Sequence, residues 1–406
     1  MGGYPQVVLT EEGMREGMQI ESADIPVADK IRLLDALSET GLTEIVVGSF
    51  VSAKWTPQMA HIEDIVRGFH PRPGVNYYYV ALNEKGVERA REFTPPLCPP
   101  RRGLVTSVHM CDVFAQRNTN RTQAQEIASW PNVVERARRQ GGEEAGMVLG
   151  AAWGSNWVGE FTHEQRMAML RRMHRLWTDA GIQVTRIGLL DPMGWNMPDQ
   201  VERQLELIKE EWPDIRDVWL HLHDTRGVAL ASSYMALRTL GAGYTVRLDA
   251  SIGGMAGCPY CGNGRAAALV ATEDLVHFLE ELGIPTGVDL DKLIQVVWLA
   301  EEIVGHPLYG HVSKAGPRPR YDRRYAMDMP FIETLAEAQH FIRGPKVYRG
   351  AMSPWKAPIQ SWQRPDSVAA APDGHTAAPK ANGAAPASNG AAAASSAPAP
   401  TGTPAP

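Results

Sequence analysis

Eight short apolar runs recur along the chain, at residues 6–9, 44–47, 76–81, 103–108, 146–152, 184–190, 218–221 and 244–248. Longer amphipathic stretches lie between them, including 28–39, 123–139, 164–180 and 200–211. Runs of that length suit strands buried on both faces, and the stretches between them suit helices with one apolar side. Regular alternation of the two implies a parallel sheet crossed by external helices. Such a sheet either stays open and doubly wound or closes into a barrel. Polar residues that follow the runs favour closure: Arg15 and Glu16, Ser49, Asp112, Asn156, Asp191, His221 and His223, and Cys258. A barrel gathers all its strand ends at one mouth, whereas an open sheet leaves several of them far apart.

The expected fold is therefore α/β, a (β/α)8 TIM barrel over residues 1–290 with a C-terminal helical and irregular appendage over 291–366. Within and just before that appendage, 272–282 and 290–303 read as helices and 318–324 is strongly basic. Trp355 and Trp362 suggest that it packs against the barrel or another subunit. Residues 367–406 hold 16 Ala and 7 Pro and almost nothing large to bury, so they read as a disordered tail. Net charge is −6 with basic groups scattered, which argues against nucleic-acid binding. Without a long apolar span or a leader-like N-terminus, a cytoplasmic protein away from membranes is expected. Four cysteines are too few for a disulfide framework, so reduced thiols are expected.

His221-Leu222-His223 places two imidazoles on one side of a strand, and Glu16 adds a carboxylate from the end of the first strand. Two imidazoles and one carboxylate hold a divalent metal and leave positions for a chelating substrate, which suits Mg²⁺ or Mn²⁺, with Zn²⁺ as another occupant. Packed or surface histidines are the plainer reading of the pair. Asp224 would anchor a histidine or the following turn. Arg15 suits a substrate carboxylate or a developing enolate, or simply an ion pair at the barrel mouth. The glycine-rich segment 257–264 contains Cys258 and Cys261, whose CxxC spacing fits a zinc site, a reversible disulfide or a thiol proton donor. Asp191 is a catalytic candidate that could equally cap its turn, and Gln19, Ser49, Lys54 and Asn118 are substrate-binding candidates whose plainer roles are bracing and peripheral ion pairing.

The segments Arg15-Glu16-Gly17-Met18-Gln19, Gly48-Ser49-Phe50-Val51-Ser52-Ala53-Lys54-Trp55, Asn118-Thr119-Asn120, His221-Leu222-His223-Asp224-Thr225, Gly257-Cys258-Pro259-Tyr260 and Val270-Ala271-Thr272-Glu273-Asp274 run in this order. From Glu12 to about Ser313 the chain resembles the hydroxymethylglutaryl-CoA lyase family, within the metal-dependent barrel lyases and condensing enzymes. The resemblance implies a metal held by Glu16, His221 and His223, Arg15 at the reacting carbonyl, and Cys258 on a mobile loop near proton transfer. It also implies carbon–carbon cleavage of a 3-hydroxy acyl-CoA or related hydroxy acid through a metal-stabilised enolate, and a homodimer is expected. The alternatives are a Claisen-type synthase joining an acyl-CoA to a ketoacid, and a metal-binding protein without turnover. Two positions depart from the family. Its second-strand glutamate falls at Val46, with Glu44 displaced by two residues, and its asparagine before Val270 is replaced by Leu269, leaving Asn263 as a candidate metal ligand from an altered loop path.

Overall fold

Val7, Val8 and Leu9 put apolar side chains on both faces, followed by the polar Thr10 and Glu11, and this stretch forms the first strand, β1 (Gln6–Glu11). In the computed structural model, which describes residues 3–99, 104–261, 268–320 and 324, seven further strands join it. They are β2 (Glu44–Ser49), β3 (Asn76–Val80), β4 (Val105–His109), β5 (Glu144–Gly150), β6 (Gln183–Asp191), β7 (Asp217–Leu222) and β8 (Thr245–Ala250). The sheet is parallel and runs β3-β2-β1-β8-β7-β6-β5-β4. That is the cyclic order of a TIM barrel. All eight expected strands form, although β4 begins two residues later than the apolar run at 103.

The crossovers are helical: α1 (Val27–Ser38), α2 (Ile62–Gly68), α3 (Glu84–Arg91), α4 (Asp112–Thr119), α5 (Gln123–Arg139), α6 (His163–Thr178), α7 (Pro198–Glu211) and α8 (Ala229–Leu240). Thr122 and Thr162 begin α5 and α6 with reciprocal capping boxes, in which the threonine oxygen accepts a backbone N–H and a glutamine reaches back to the threonine N–H. Helices dock by burying Leu33, Leu37, Trp130, Leu170, Trp177, Leu205 and Leu237. Trp177 also donates its indole N–H to Thr106 on β4, at 2.9 Å. After β8 come α9 (Thr272–Glu281) and α10 (Leu290–Val304), which packs against α1. No helix among the described residues is long and apolar enough to cross a membrane. Trp355, Trp362 and the segment 367–406 lie outside the described residues.

Inside the barrel, side chains two residues apart on a strand fall into successive layers. At the bottom, Asp217 accepts hydrogen bonds from Arg186 at 3.0 Å and Arg247 at 2.9 Å, and Arg247 reaches Glu44 at 3.9 Å. These groups come from β6, β7, β8 and β2 and close the barrel floor with paired charge. Glu44 is spent in that floor. The next inward residue on β2, towards the mouth, is the buried Val46, where the resemblance implies a glutamate.

Candidate active site

The chain leaves β1 through a wide helical turn, Gly13–Gly17, fastened by the buried carboxylate of Glu11. One Glu11 oxygen accepts from the Gly13 N–H at 2.6 Å and the Ile252 N–H at 3.0 Å, while the other accepts from the Thr272 hydroxyl at 2.5 Å. The strand end, the loop after β8 and the start of α9 thus share one anchor. Burial pushes the Glu11 carboxyl up to about 7. Glycine is required on this turn because a Cβ at Gly17 would lie 2.8 Å from the Met255 carbonyl oxygen. The turn sets Arg15 and Glu16 over the barrel mouth, with the Arg15 guanidinium against the Glu16 carboxylate and 3.8 Å from Glu12.

β7 delivers the histidines. His221 lies on the strand, and His223 follows it, donating its backbone N–H to the Asp191 carbonyl at 3.3 Å. A potential ligand atom from each of Glu16, His221 and His223 lies within 4.8 Å of those of the other two, and all three residues are buried. The His223 Nε2 stands 3.5 Å from Glu16 Oε1, yet neither of its ring nitrogens has a hydrogen-bond partner among the described residues. Burial, followed by the nearby His221 and Arg15, pushes the His223 pKa down to about 3. A buried neutral imidazole with an idle lone pair beside a carboxylate is a donor set that a divalent cation fits.

Asp191 is fully buried, with one oxygen accepting from the backbone and side-chain N–H groups of Asn196 at 2.6 and 2.7 Å. Its other oxygen has no partner among the described residues. Burial raises its pKa against those hydrogen bonds. Of its two expected roles, Asp224 takes that at the turn: it accepts the Ala229 N–H at 2.8 Å and so organises the entry to α8. His221 is instead held by Asp249 on β8, whose Oδ2 lies 3.0 Å from His221 Nδ1. The sequence reading missed Asp249, and its one signal was an acidic residue inside the otherwise apolar end of a strand.

The remaining candidates lie on several elements. Ser49 is buried at the end of β2, and Gln19 is half-buried in the short turn Met18–Ile20. Asn118 on α4 lies 3.2 Å from His109 Nε2. Lys54 is exposed, with its ammonium 5.3 Å from the Trp55 ring centre. Asn263 lies outside the described residues. Leu269 is buried and bridges to His223 through the backbone, so its side chain brings no oxygen to the mouth.

The expectation of reduced thiols is corrected at one pair, because Cys258 and Cys261 form a disulfide while Cys98 and Cys111 are free. The turn that carries the Cys261 N–H to the Cys258 carbonyl brings the two Cα atoms to 5.3 Å, within bridging range. Asn156 donates to the Cys261 carbonyl at 3.0 Å and Arg117 to the Tyr260 carbonyl at 3.0 Å, clasping the loop from two sides. In this form Cys258 has no thiol hydrogen to give.

Residues 6–299 match the HMGL-like family model. Among curated proteins, the mitochondrial hydroxymethylglutaryl-CoA lyase of Mus musculus is 33% identical over 296 residues, 73% of this chain and 85% of that protein. The 3-hydroxy-3-isohexenylglutaryl-CoA/hydroxy-methylglutaryl-CoA lyase of Pseudomonas aeruginosa is 35% identical over 289 residues, 71% of this chain and 90% of that protein. Among solved structures, an HMG-CoA lyase of Acinetobacter baumannii in complex with coenzyme A and 3-methylmalate superposes with a TM-score of 0.64 at 29% identity, covering 81% of this chain and 98% of that one.

Proposed function

The chain belongs to the HMGL-like family, and from that premise we propose that it is a divalent-metal-dependent carbon–carbon lyase acting on a 3-hydroxy acyl-CoA or a related hydroxy acid. The observation that carries this reading is the convergence of Glu16, His221 and His223 beside Arg15 at the barrel mouth. Mg²⁺ or Mn²⁺ suits the donor set, and Zn²⁺ would also bind it. When bound there, such a cation supplies Lewis acidity toward hydroxyl and carbonyl oxygens.

The residues of the chain supply the rest. Arg15 holds a permanent positive charge where an enolate develops as the carbon–carbon bond breaks. Asp191, with one oxygen fixed by Asn196 and the other buried without a partner among the described residues, takes the substrate hydroxyl proton or orients the group that does. Once an external dithiol has opened the Cys258–Cys261 bridge, supplying two electrons and two protons and leaving as its own disulfide, the Cys258 thiol can give its proton to the departing carbon. Gln19, Ser49, Lys54 and Asn118 are the rim contacts for substrate, and Asn263 is a further oxygen donor offered by the loop. The protein works in the cytoplasm as a homodimer, with small molecules as its partners.

Mass-spectrometric assay of hydroxy-acyl-CoA and free hydroxy-acid substrates with added Mg²⁺ or Mn²⁺ tests the reaction. Cleavage is expected only with metal, and Arg15→Ala should lower kcat at least about 100-fold while metal content stays at the wild-type level. Joining of an acyl-CoA to a ketoacid with release of CoA, without cleavage, would overturn the lyase assignment.

A further inference from the structure

His221 presents one of two ring nitrogens to the mouth, and which one keeps its lone pair depends on the hydrogen bond made by the other. Its Nδ1 lies 3.0 Å from Asp249 Oδ2. The same Asp249 oxygen accepts the indole N–H of Trp219 at 2.6 Å. An indole nitrogen only donates, so that oxygen is committed as an acceptor. Trp219 and His221 stand two residues apart on β7 and face the same way, towards Asp249 on β8. Gly188 on β6 makes room for the indole, since a Cβ there would lie 2.8 Å from Trp219 Cε3.

The geometry points to Asp249 as a positioning residue for cation binding: clamped by Trp219 against the Gly188 gap, it keeps the His221 hydrogen on Nδ1 and frees Nε2 for the metal. This rests on the metal site proposed above. Without the carboxylate, the hydrogen moves between the two nitrogens and the ring rotates more freely, so that each binding event first selects the right form. Without the indole, the carboxylate remains but loses its fixed orientation. The assignment therefore predicts the largest effect at Asp249, which meets the ring, and smaller ones at Trp219 and Gly188, which act through it.

Two readouts test it. Nitrogen-resolved NMR of the metal-free protein reports which His221 nitrogen bears the hydrogen, and calorimetric titration with Mn²⁺ reports affinity. The wild-type protein should carry the hydrogen on Nδ1. Asp249→Ala should weaken Mn²⁺ binding about 10- to 100-fold and mix the two ring forms. Asp249→Asn, which keeps an acceptor oxygen but can also present NH₂, should fall between it and the wild type. Trp219→Phe and Gly188→Ala leave the carboxylate in place and should each weaken binding several-fold, so the inference stays testable if Asp249→Ala does not fold. His221→Ala checks the site itself. Mn²⁺ binding that His221→Ala removes but Asp249→Ala, Trp219→Phe and Gly188→Ala leave unchanged overturns the positioning role alone, as does a wild-type hydrogen on Nε2. Wild-type affinity no greater than that of His221→Ala overturns the metal site and this role together.

Discussion

Glu273, at the start of α9, accepts the Gly253 N–H at 2.9 Å and is fully buried, with Asp274 beside it in sequence and Glu11 nearby. Burial, and then the charge of Asp274, raises its carboxyl to about 8 from an ordinary 4.5. The folded protein therefore holds a proton that the unfolded chain gives up, and the associated stability is complete below about 4.5 and lost as pH rises to about 8. Glu273→Gln keeps the acceptor and cannot ionise, so its melting temperature relative to the wild type should climb from pH 5 to pH 8. A flat difference across that range would show that the carboxyl is ionised throughout. His223 works in the opposite direction. Its pKa falls from 6.5 to about 3, so its contribution improves as pH rises through that window. At this scale the cluster of Glu16, His221 and His223 was legible in the sequence, because residues two apart at a strand end face the same way and a carboxylate after the first strand lies at the same barrel mouth. Asp249 and Glu11 were not, because their roles depend on partners from other elements, the neighbouring strand for Asp249 and the turn after β1, the loop after β8 and the start of α9 for Glu11, and alternation within one strand reveals a face without revealing what it meets.

The strands were legible as elements for a physical reason: covered on both sides, each had to be apolar over most of its length. The long helices were legible from their stripes. The short α2, α3 and α4 were not, since seven or eight residues make barely two turns, and α4 (Asp112–Thr119) buries only Phe114 and Ala115 among mostly polar neighbours. The capping boxes at Thr122 and Thr162 give a direct test at this level. Thr162→Ala removes the oxygen that accepts the Gln165 N–H at 3.2 Å, and should cost about 1 kcal/mol in urea unfolding without changing Mn²⁺ affinity. A larger loss with weakened metal binding would mean that α6 supports the mouth as well as the wall.

For the molecule as a whole, the barrel floor and the barrel mouth stand at opposite ends of the same strands. Asp217→Ala would leave Arg186 and Arg247 without their shared acceptor, and because both guanidinium groups are partly exposed the expected cost is about 2 kcal/mol, read from chemical denaturation. The ligand geometry at the other end should survive, which metal titration of the same variant checks. Deleting residues 367–406 is expected to leave both melting and turnover within error of the full chain, because Ala and Pro dominate there and offer little to bury. A clear drop in melting temperature would show that the segment docks. β7 ties the two ends of the barrel together. Asp217 in the floor, Trp219 beside Asp249 and His221 at the mouth are alternate residues on one face of this strand. Each can be exchanged separately, but a one-residue insertion or deletion near the start of the strand would turn the residues beyond it to the opposite face. An exchange at one of these positions is therefore a local change, whereas a change in the length of the segment re-aims all of those beyond it.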